Sequence, residues 1–310
     1  MRLIFMGTPQ FAVPAFEKLL NSGHQILAVV TAPDKPRGRG QVLSSTPIKE
    51  AARKANLPVL QPTNLKSQAF LEMLKQFNPE LNAVVAFRIL PEAVFTLPKF
   101  GSINLHASLL PAYRGAAPIN WAIINGESKT GLTTFLLKKQ VDTGDILMQK
   151  EIAIAPDDDF GSLHDKMAAV GADLLLETID ALEQGQSKPI AQNNMPATTA
   201  PKLTPQTGSI DWNRPARKVH NLIRGLSPFP GAYTNLAGKK LIILKSAILE
   251  NFKQASPGTI TVADSKTGLE VACKEGALSI LLLKPEGKKA MGSAEFIRGH
   301  HVEAGKQFAG

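Results

Sequence analysis

At 310 residues, with 44% hydrophobic and 20% charged side chains, the chain has the make-up of a globular protein and length enough for two domains. No apolar run reaches the ~20 residues of a bilayer crossing, Pro9 and Gln10 cut the N-terminal run too short for a secretion signal, and a single cysteine, Cys273, excludes an intrachain disulfide and a cysteine metal cluster, so a reducing cytoplasm is expected. The net charge of +9 is uneven: residues 200–310 hold 16 Lys and Arg against 8 Asp and Glu, a net of +8, which leaves +1 for residues 1–199 and reads either as a face for a polyanion or as a solvated lysine-rich surface.

Along the chain, Leu3–Met6 is a short apolar run broken by Gly7-Thr-Pro, and Ala12, Phe16, Leu19 and Leu20 follow at helical spacing. Ile26–Val30 reads as a strand, Ile48–Ala55 as a helix, Val59-Leu60 as a brief strand, Gln68–Phe77 as a helix and Ala83–Ala86 as a buried strand. Short apolar strands alternating with amphipathic helices predict an α/β domain, doubly wound around a mostly parallel sheet. Strands at Ser102–Leu105, Thr133–Leu137 and Ile146–Ile154 and a helix near Pro118–Asn125 continue it. A long helix follows, opened by Asp157, Asp158 and Asp159, where negative charge suits the helix dipole, and ended near Gly185.

Residues 191–207, rich in Pro, Asn, Thr and Gln without an apolar period, read as a linker between domains at 1–190 and 208–310. Beyond it Pro215 opens a helix with Val219, Leu222, Ile223 and Leu226 on one side. Short β-like runs at Leu241–Leu244, Thr259–Val262, Leu269–Ala272 and Leu278–Leu283 then predict a small OB-like β-barrel.

Polar chemistry is densest between Ser102 and Asp145. Residues two apart on a strand share a face, so Asn104 and His106 point together while Ile103 and Leu105 pack inward. Their strand gives way to a Pro- and Gly-bearing loop, the end of an open α/β sheet where function gathers. Asp142, in an Asp-Thr-Gly turn, either comes up beside them or merely caps that turn. An amide can stabilise an oxyanion, a histidine can carry a proton near neutral pH and a carboxylate can orient it, all without a metal. No Gly-x-Ser-x-Gly elbow, dinucleotide fingerprint or phosphate loop occurs, and the adjacent His300-His301 lacks ligand spacing.

The run Asn104-Leu-His106-Ala-Ser108-Leu-Leu-Pro111, with Tyr-Arg-Gly-Ala-Ala-Pro118 and Val141-Asp142-Thr-Gly144, closely resembles the signature of the folate-dependent formyltransferase superfamily. Within it the chain looks like the methionyl-tRNA formyltransferases, from Phe5-Met-Gly-Thr-Pro9 through Arg217–Arg224 to Gly287-Lys-Lys-Ala-Met291. The resemblance implies a Rossmann-like catalytic domain and an OB-like tRNA-binding domain, with Asn104, His106 and Asp142 catalytic. It implies 10-formyltetrahydrofolate as formyl donor, held by Ser108, Leu109, Leu110 and Pro111 and by the loop Arg88, Ile89 and Leu90. Many tRNA-acting members carry Tyr-Gly where this chain has Phe87-Arg88, which leaves the Arg88 side chain without an inherited role.

By composition residues 32–50 read as a flexible basic loop, and most such loops only keep a protein soluble. In the tRNA-acting members such an insertion enters the acceptor stem, which implies Lys35, Arg37 and Arg39 as tRNA contacts. The expected activity is transfer of the formyl group to the α-amino group of initiator methionyl-tRNA for translation initiation, by a monomer with no metal and no membrane partner. Related enzymes act instead on sugar nucleotides or glycinamide ribonucleotide, and an RNA-binding module on an inactive scaffold is the reading from another class.

Overall fold

The computed structural model describes residues 1–37 and 42–309, which form two compact units. The first comprises residues 1–115, 130–153 and 164–199; the second comprises 116–129, 154–163 and 200–310.

Strands β1 (Arg2–Gly7), β2 (Gln25–Val30), β3 (Lys35–Arg37), β4 (Val42–Ser44), β5 (Val59–Leu60), β6 (Leu81–Val85), β7 (Ser102–His106), β8 (Arg114–Gly115), β9 (Lys129–Leu136) and β10 (Ile146–Ala153) come in chain order. Interleaved with them are α1 (Val13–Leu20), α2 (Pro47–Lys54), α3 (Gln68–Phe77), α4 (Glu92–Phe95) and α5 (Pro118–Asn125). The seven-stranded sheet has the order β10-β9-β7-β6-β1-β2-β5. β5, β2, β1, β6 and β7 are parallel, and β9 runs antiparallel to β7. Leu3, Ile4, Phe5 and Met6 are wholly buried, as a strand covered on both faces requires. Thr46 and Ser67 cap α2 and α3 through their hydroxyls, so the expected helix starts carry their own local stops.

The chain leaves β1 toward β2 and β5, then returns to lay β6 and β7 on the other side of β1. In open sheets such a reversal marks the usual ligand position, at the carboxyl ends of the parallel strands. Gly7 ends β1 there: a Cβ on it would stand 2.9 Å from the Ala12 Cβ and 3.1 Å from the Val85 carbonyl oxygen. The glycine lets β1, its turn and β6 approach closely.

Helix α6 (Phe160–Glu183) starts where the aspartates predict, with the Asp159 carboxylate accepting from Ser162 N at 2.9 Å and the Asp159 N–H donating to the Ser162 hydroxyl at 3.1 Å. Gly185 follows with φ +67°.

The short strand β11 (Thr199–Ala200) precedes α7 (Ala216–Leu226), β12 (Ala232–Leu236), β13 (Lys239–Leu249), β14 (Ile260–Asp264), β15 (Gly268–Ala272), β16 (Ala277–Pro285), β17 (Met291–Gly292) and α8 (Ser293–His300). An antiparallel sheet runs β12-β13-β16-β15-β14, and β17 adds to β16. The C-terminal tail closes it, Ala309 pairing with Asn235 and Gln307 with Thr259, so both edges of the sheet are covered as in a small barrel. Trp212 stacks on Phe308 at 5.6 Å inside, and its indole N–H donates to Thr234 Oγ1 at 3.0 Å. Helix α7 seats Val219, Ile223 and Leu226 in this core. Helix α5 joins the same unit because Asn120 Nδ2 donates to the Gly225 carbonyl at 2.7 Å, and only a glycine at 225 lets Ile124 come so near. Among the described residues no helix is long and apolar enough to cross a membrane.

Candidate active site

Asn104 and His106 lie on β7, between β6 and β9, with Ile103 and Leu105 buried on the alternate positions. Asn104 is half-buried, and among the described residues its amide engages no partner. His106 is held tightly. Its Nε2 lies 2.9 Å from the Tyr113 carbonyl oxygen, and Phe135 stands edge-on to its ring at 6.5 Å. A carbonyl only accepts, so Nε2 carries the proton and Nδ1 presents a lone pair when the ring is neutral.

Asp142 Oδ2 sits 3.9 Å from that Nδ1 and accepts from the Gly115 N–H at 2.9 Å. Both side chains are largely withdrawn from water, at 7% exposure for His106 and 12% for Asp142. Asp142 has φ +54° and Tyr113 φ +59°, left-handed backbone that L side chains adopt at a cost, so both loops flanking the imidazole carry strain. The turn does more than cap itself: it brings its carboxylate to the histidine.

The segment after β7 is built as a brace. Ser108 is fully buried, and its hydroxyl donates to the Ala112 carbonyl at 2.6 Å. Thr133 Oγ1 donates to the Ser108 carbonyl at 2.7 Å and accepts from Leu110 N at 3.0 Å and Gln149 Nε2 at 2.9 Å. Leu110 is buried, Leu109 lies over Gly131, and Pro111 is half-exposed. The side chains of Ser108 and Leu110 thus point into the protein and shape the turn.

Beyond β6, Ile89 is 75% exposed and Leu90 is buried in the apolar cluster under α3 and α4. Arg88, just before them, acts as a strut: Nη2 donates to the Pro62 carbonyl at 2.7 Å and Nη1 to the Thr63 carbonyl at 3.3 Å. Burial lowers its pKa from the ordinary arginine value. The Arg88 guanidinium is thus engaged by two backbone carbonyls.

Residues read as a flexible loop form the hairpin β3–β4 in part, Lys35 pairing with Ser44, Pro36 with Leu43 and Arg37 with Val42. Lys35 is exposed, and Arg39 lies outside the described residues. The hairpin's base is stapled. Lys49 forms an ion pair with Asp34, Gln61 Nε2 donates to Asp34 Oδ1 at 2.9 Å and to Ala32 at 2.8 Å, and Thr31 and Thr46 hydroxyls meet at 2.8 Å. Hydrogen bonds from Lys49 and then Gln61 hold the Asp34 carboxyl below its usual pKa.

In the second unit every lysine and arginine except Arg224 is exposed. Arg224 donates to the Asp158 carbonyl at 2.7 Å, so it serves the fold. Lys240 lies over the Tyr233 ring at 3.7 Å, and Lys284 is near it at the end of β16 that pairs with the start of β13. His220 is pushed down to about 4 by burial and by Arg224 and Arg217, so it adds no charge at neutral pH. Its Nδ1 meets Ser246 Oγ at 2.9 Å.

One residue that bears on the site was invisible in the sequence. Gln192, from the stretch read as linker, bonds to the backbone of the Asp142 turn and to Arg114. Nothing in its polar neighbourhood distinguishes it from any other linker glutamine.

Residues 1–179 match the formyl transferase family, and residues 202–301 match the formyl transferase C-terminal domain. The methionyl-tRNA formyltransferase of Caldanaerobacter subterraneus subsp. tengcongensis is 51% identical over 98% of this chain and 99% of its own length. Among solved structures, HypX from Aquifex aeolicus in complex with tetrahydrofolic acid superposes with a TM-score of 0.67 at 17% identity, over 96% of this chain and 47% of that one. A methionyl-tRNA formyltransferase from Clostridium thermocellum superposes with a TM-score of 0.57 at 17% identity, over 81% of this chain and 95% of that one. Both structural likenesses speak to fold. The end-to-end sequence matches settle kinship: the chain belongs to the formyl transferase family, on the branch of the methionyl-tRNA formyltransferases.

Proposed function

We propose that the chain transfers the formyl group of 10-formyltetrahydrofolate to the α-amino group of methionine on initiator tRNA, acting as a monomer in the cytoplasm for translation initiation. The observation that carries the chemistry is His106, with its tautomer set by the Tyr113 carbonyl, facing the Asp142 carboxylate two strand positions beyond an unengaged Asn104 amide.

Each residue has one task. The Asn104 N–H donates to the formyl oxygen as negative charge builds there. His106 Nδ1 takes the proton released by the attacking amine, and Asp142 stabilises the imidazolium so formed. The carbon–nitrogen bond to the amine forms, the bond to the folate nitrogen breaks, and His106 hands its proton to that departing nitrogen. No step calls for a metal. The folate is assigned to the carboxyl ends of the strands on the character of the residues there: exposed Ile89 offers an apolar face to a flat heterocycle, backbone groups of residues 86–90 offer donors and acceptors, and half-buried Leu109 and Pro111 are assigned to its border.

The amine acceptor rests on the basic features. Lys35, Arg37 and Arg39 are assigned to the acceptor stem, and the exposed lysines of residues 200–310 to the phosphate backbone. A formylation assay offering charged initiator tRNA beside an amino-sugar nucleotide and glycinamide ribonucleotide tests the reading, with the formyl group expected on methionine alone. Arg39→Ala should lower formylation of the tRNA by about tenfold or more, the order of a lost bidentate contact, with folate binding unchanged. Equal loss of both would move Arg39 into the active-site scaffold. Binding of tRNA to the whole protein should weaken steeply with salt, log K falling by roughly 0.9 per neutralised phosphate for each unit of log salt. A flat dependence would leave the basic surface without a polyanion.

A further inference from the structure

We infer that Gln192 is a positioning residue for the reaction, a clamp that sets the Asp142 carboxylate opposite His106. The inference rests on the role just given to Asp142. It starts from how completely the Gln192 amide is used. Nε2 has two hydrogens and both are spent on the turn, one on the Asp142 carbonyl at 3.0 Å and one on the Gly144 carbonyl at 2.7 Å. Oε1 accepts from Arg114 Nη2 at 2.6 Å and Nε at 3.2 Å. Arg114 Nη2 also donates to Asn194 Oδ1 at 2.7 Å.

Only one orientation of the amide satisfies this set. Flipping it would press its oxygen against two carbonyl oxygens and its NH2 against a guanidinium. The turn around Asp142 is therefore held by a group with no freedom left.

The contacts also form a ring. Gly115 N donates to Asp142 Oδ2 at 2.9 Å, the adjoining Arg114 reaches Gln192, and Gln192 returns to the backbone of Asp142. The carboxylate is thus fixed at its oxygen from one side and at its backbone from the other. Asp142 occupies a left-handed conformation, φ +54°, which L residues adopt at a cost, aspartate more readily than most. Gln192 supplies the support at the strained residue itself. The strap that carries it is anchored on both sides: Ile190 exchanges two 2.8 Å backbone bonds with Ile146, and Thr198 accepts from the Tyr113 N–H at 2.9 Å and, through its carbonyl, from Arg114 N at 2.9 Å.

The clamp touches none of the residues assigned to folate at β6, so its loss should appear in turnover and spare folate binding. Gln192→Glu is the sharper variant. It keeps the volume and the bond to Arg114, and it replaces both donors to the turn with an oxygen that repels the two carbonyls. We expect Gln192→Ala and Gln192→Glu each to lower kcat about 30-fold, within the ~100-fold that an ångström of misplacement can cost, with the KM for formyl-folate changed by less than about twofold. A residue acting through Asp142 has nothing to act on once that carboxylate is gone. In an Asp142→Asn background Gln192→Glu should therefore lower kcat by no more than about twofold further.

Wild-type kcat in Gln192→Glu, or losses that multiply in the double variant, would overturn the clamp and leave Asp142 in place. Wild-type kcat in Asp142→Asn would remove the role of Asp142 and the clamp with it, so the two failures are told apart by single variants. A Gln192→Ala protein that fails to fold leaves the decision to Gln192→Glu, whose melting temperature is measured beside the wild type.

Discussion

Asn104→Ala should lower kcat by ~100- to 1000-fold, the range seen when an amide donor to a developing oxyanion is removed. Its fold should survive. The backbone of Asn104 is paired with Val84 on one side and Phe135 on the other, and its side chain engages no partner among the described residues, so truncation orphans nothing. The melting temperature should stay near that of the wild type, since no side-chain hydrogen bond among the described residues is lost. Folate binding by the β6 loop should be retained for the same reason. Asn104→Asp is expected to fall further than alanine, because a carboxylate at that position repels the charge the amide was to receive. His106→Ala makes a useful contrast: it removes the proton carrier and also the hydrogen bond from its Nε2 to the Tyr113 carbonyl, so it should lose stability by about 1 kcal/mol along with turnover. Steady-state kinetics beside equilibrium folate binding decides the matter. Near-normal kcat in Asn104→Ala would take the amide out of the reaction.

The parts of this fold that were legible in the sequence share a physical cause. β1, β2 and the helices α1 to α3 announce themselves because burial on one or two faces writes a period into the residues, as Leu3–Met6 and the Phe16–Leu19 face do. The pairing of Asn104 with His106 was legible because a strand's period of two is local. β12, by contrast, has the sequence Ala-Tyr-Thr-Asn-Leu, too mixed to signal a strand, and it is held by pairing with β13 and by the closing tail. The β3–β4 hairpin was hidden for a similar reason: its charges and prolines describe a loop, and its order comes from Lys49, Gln61 and Thr46, which arrive later in the chain. Gln192 is the extreme case. Its importance lies wholly in which carbonyls it meets across 50 residues of sequence, and no local pattern encodes that.

Gly144→Ala should lower kcat on the order of 100-fold and destabilise the protein by about 1–3 kcal/mol, the usual range for overpacking. A Cβ at this position would stand 1.5 Å from the Leu136 carbonyl oxygen and 2.8 Å from its carbon. Both atoms are backbone, so no rotamer change relieves the clash and the turn itself must move. That turn closes the end of β9, where Leu136 N donates to the Asp145 carbonyl at 3.0 Å, and it offers the Gly144 carbonyl to Gln192. Displacing it carries Asp142 away from His106 and breaks the clamp in one step. The loss in kcat should therefore match that of Asp142→Asn, with folate affinity preserved because the β6 loop is untouched. Gly299→Ala is the control. It lies in α8 with nothing within 4 Å of the added methyl, so it should stabilise the protein by up to ~1 kcal/mol and leave kcat alone. If Gly144→Ala turned over at the wild-type rate, the geometry of the 142–145 turn would not govern the reaction, and the carboxylate would have to act without the close approach to His106 on which its assignment depends.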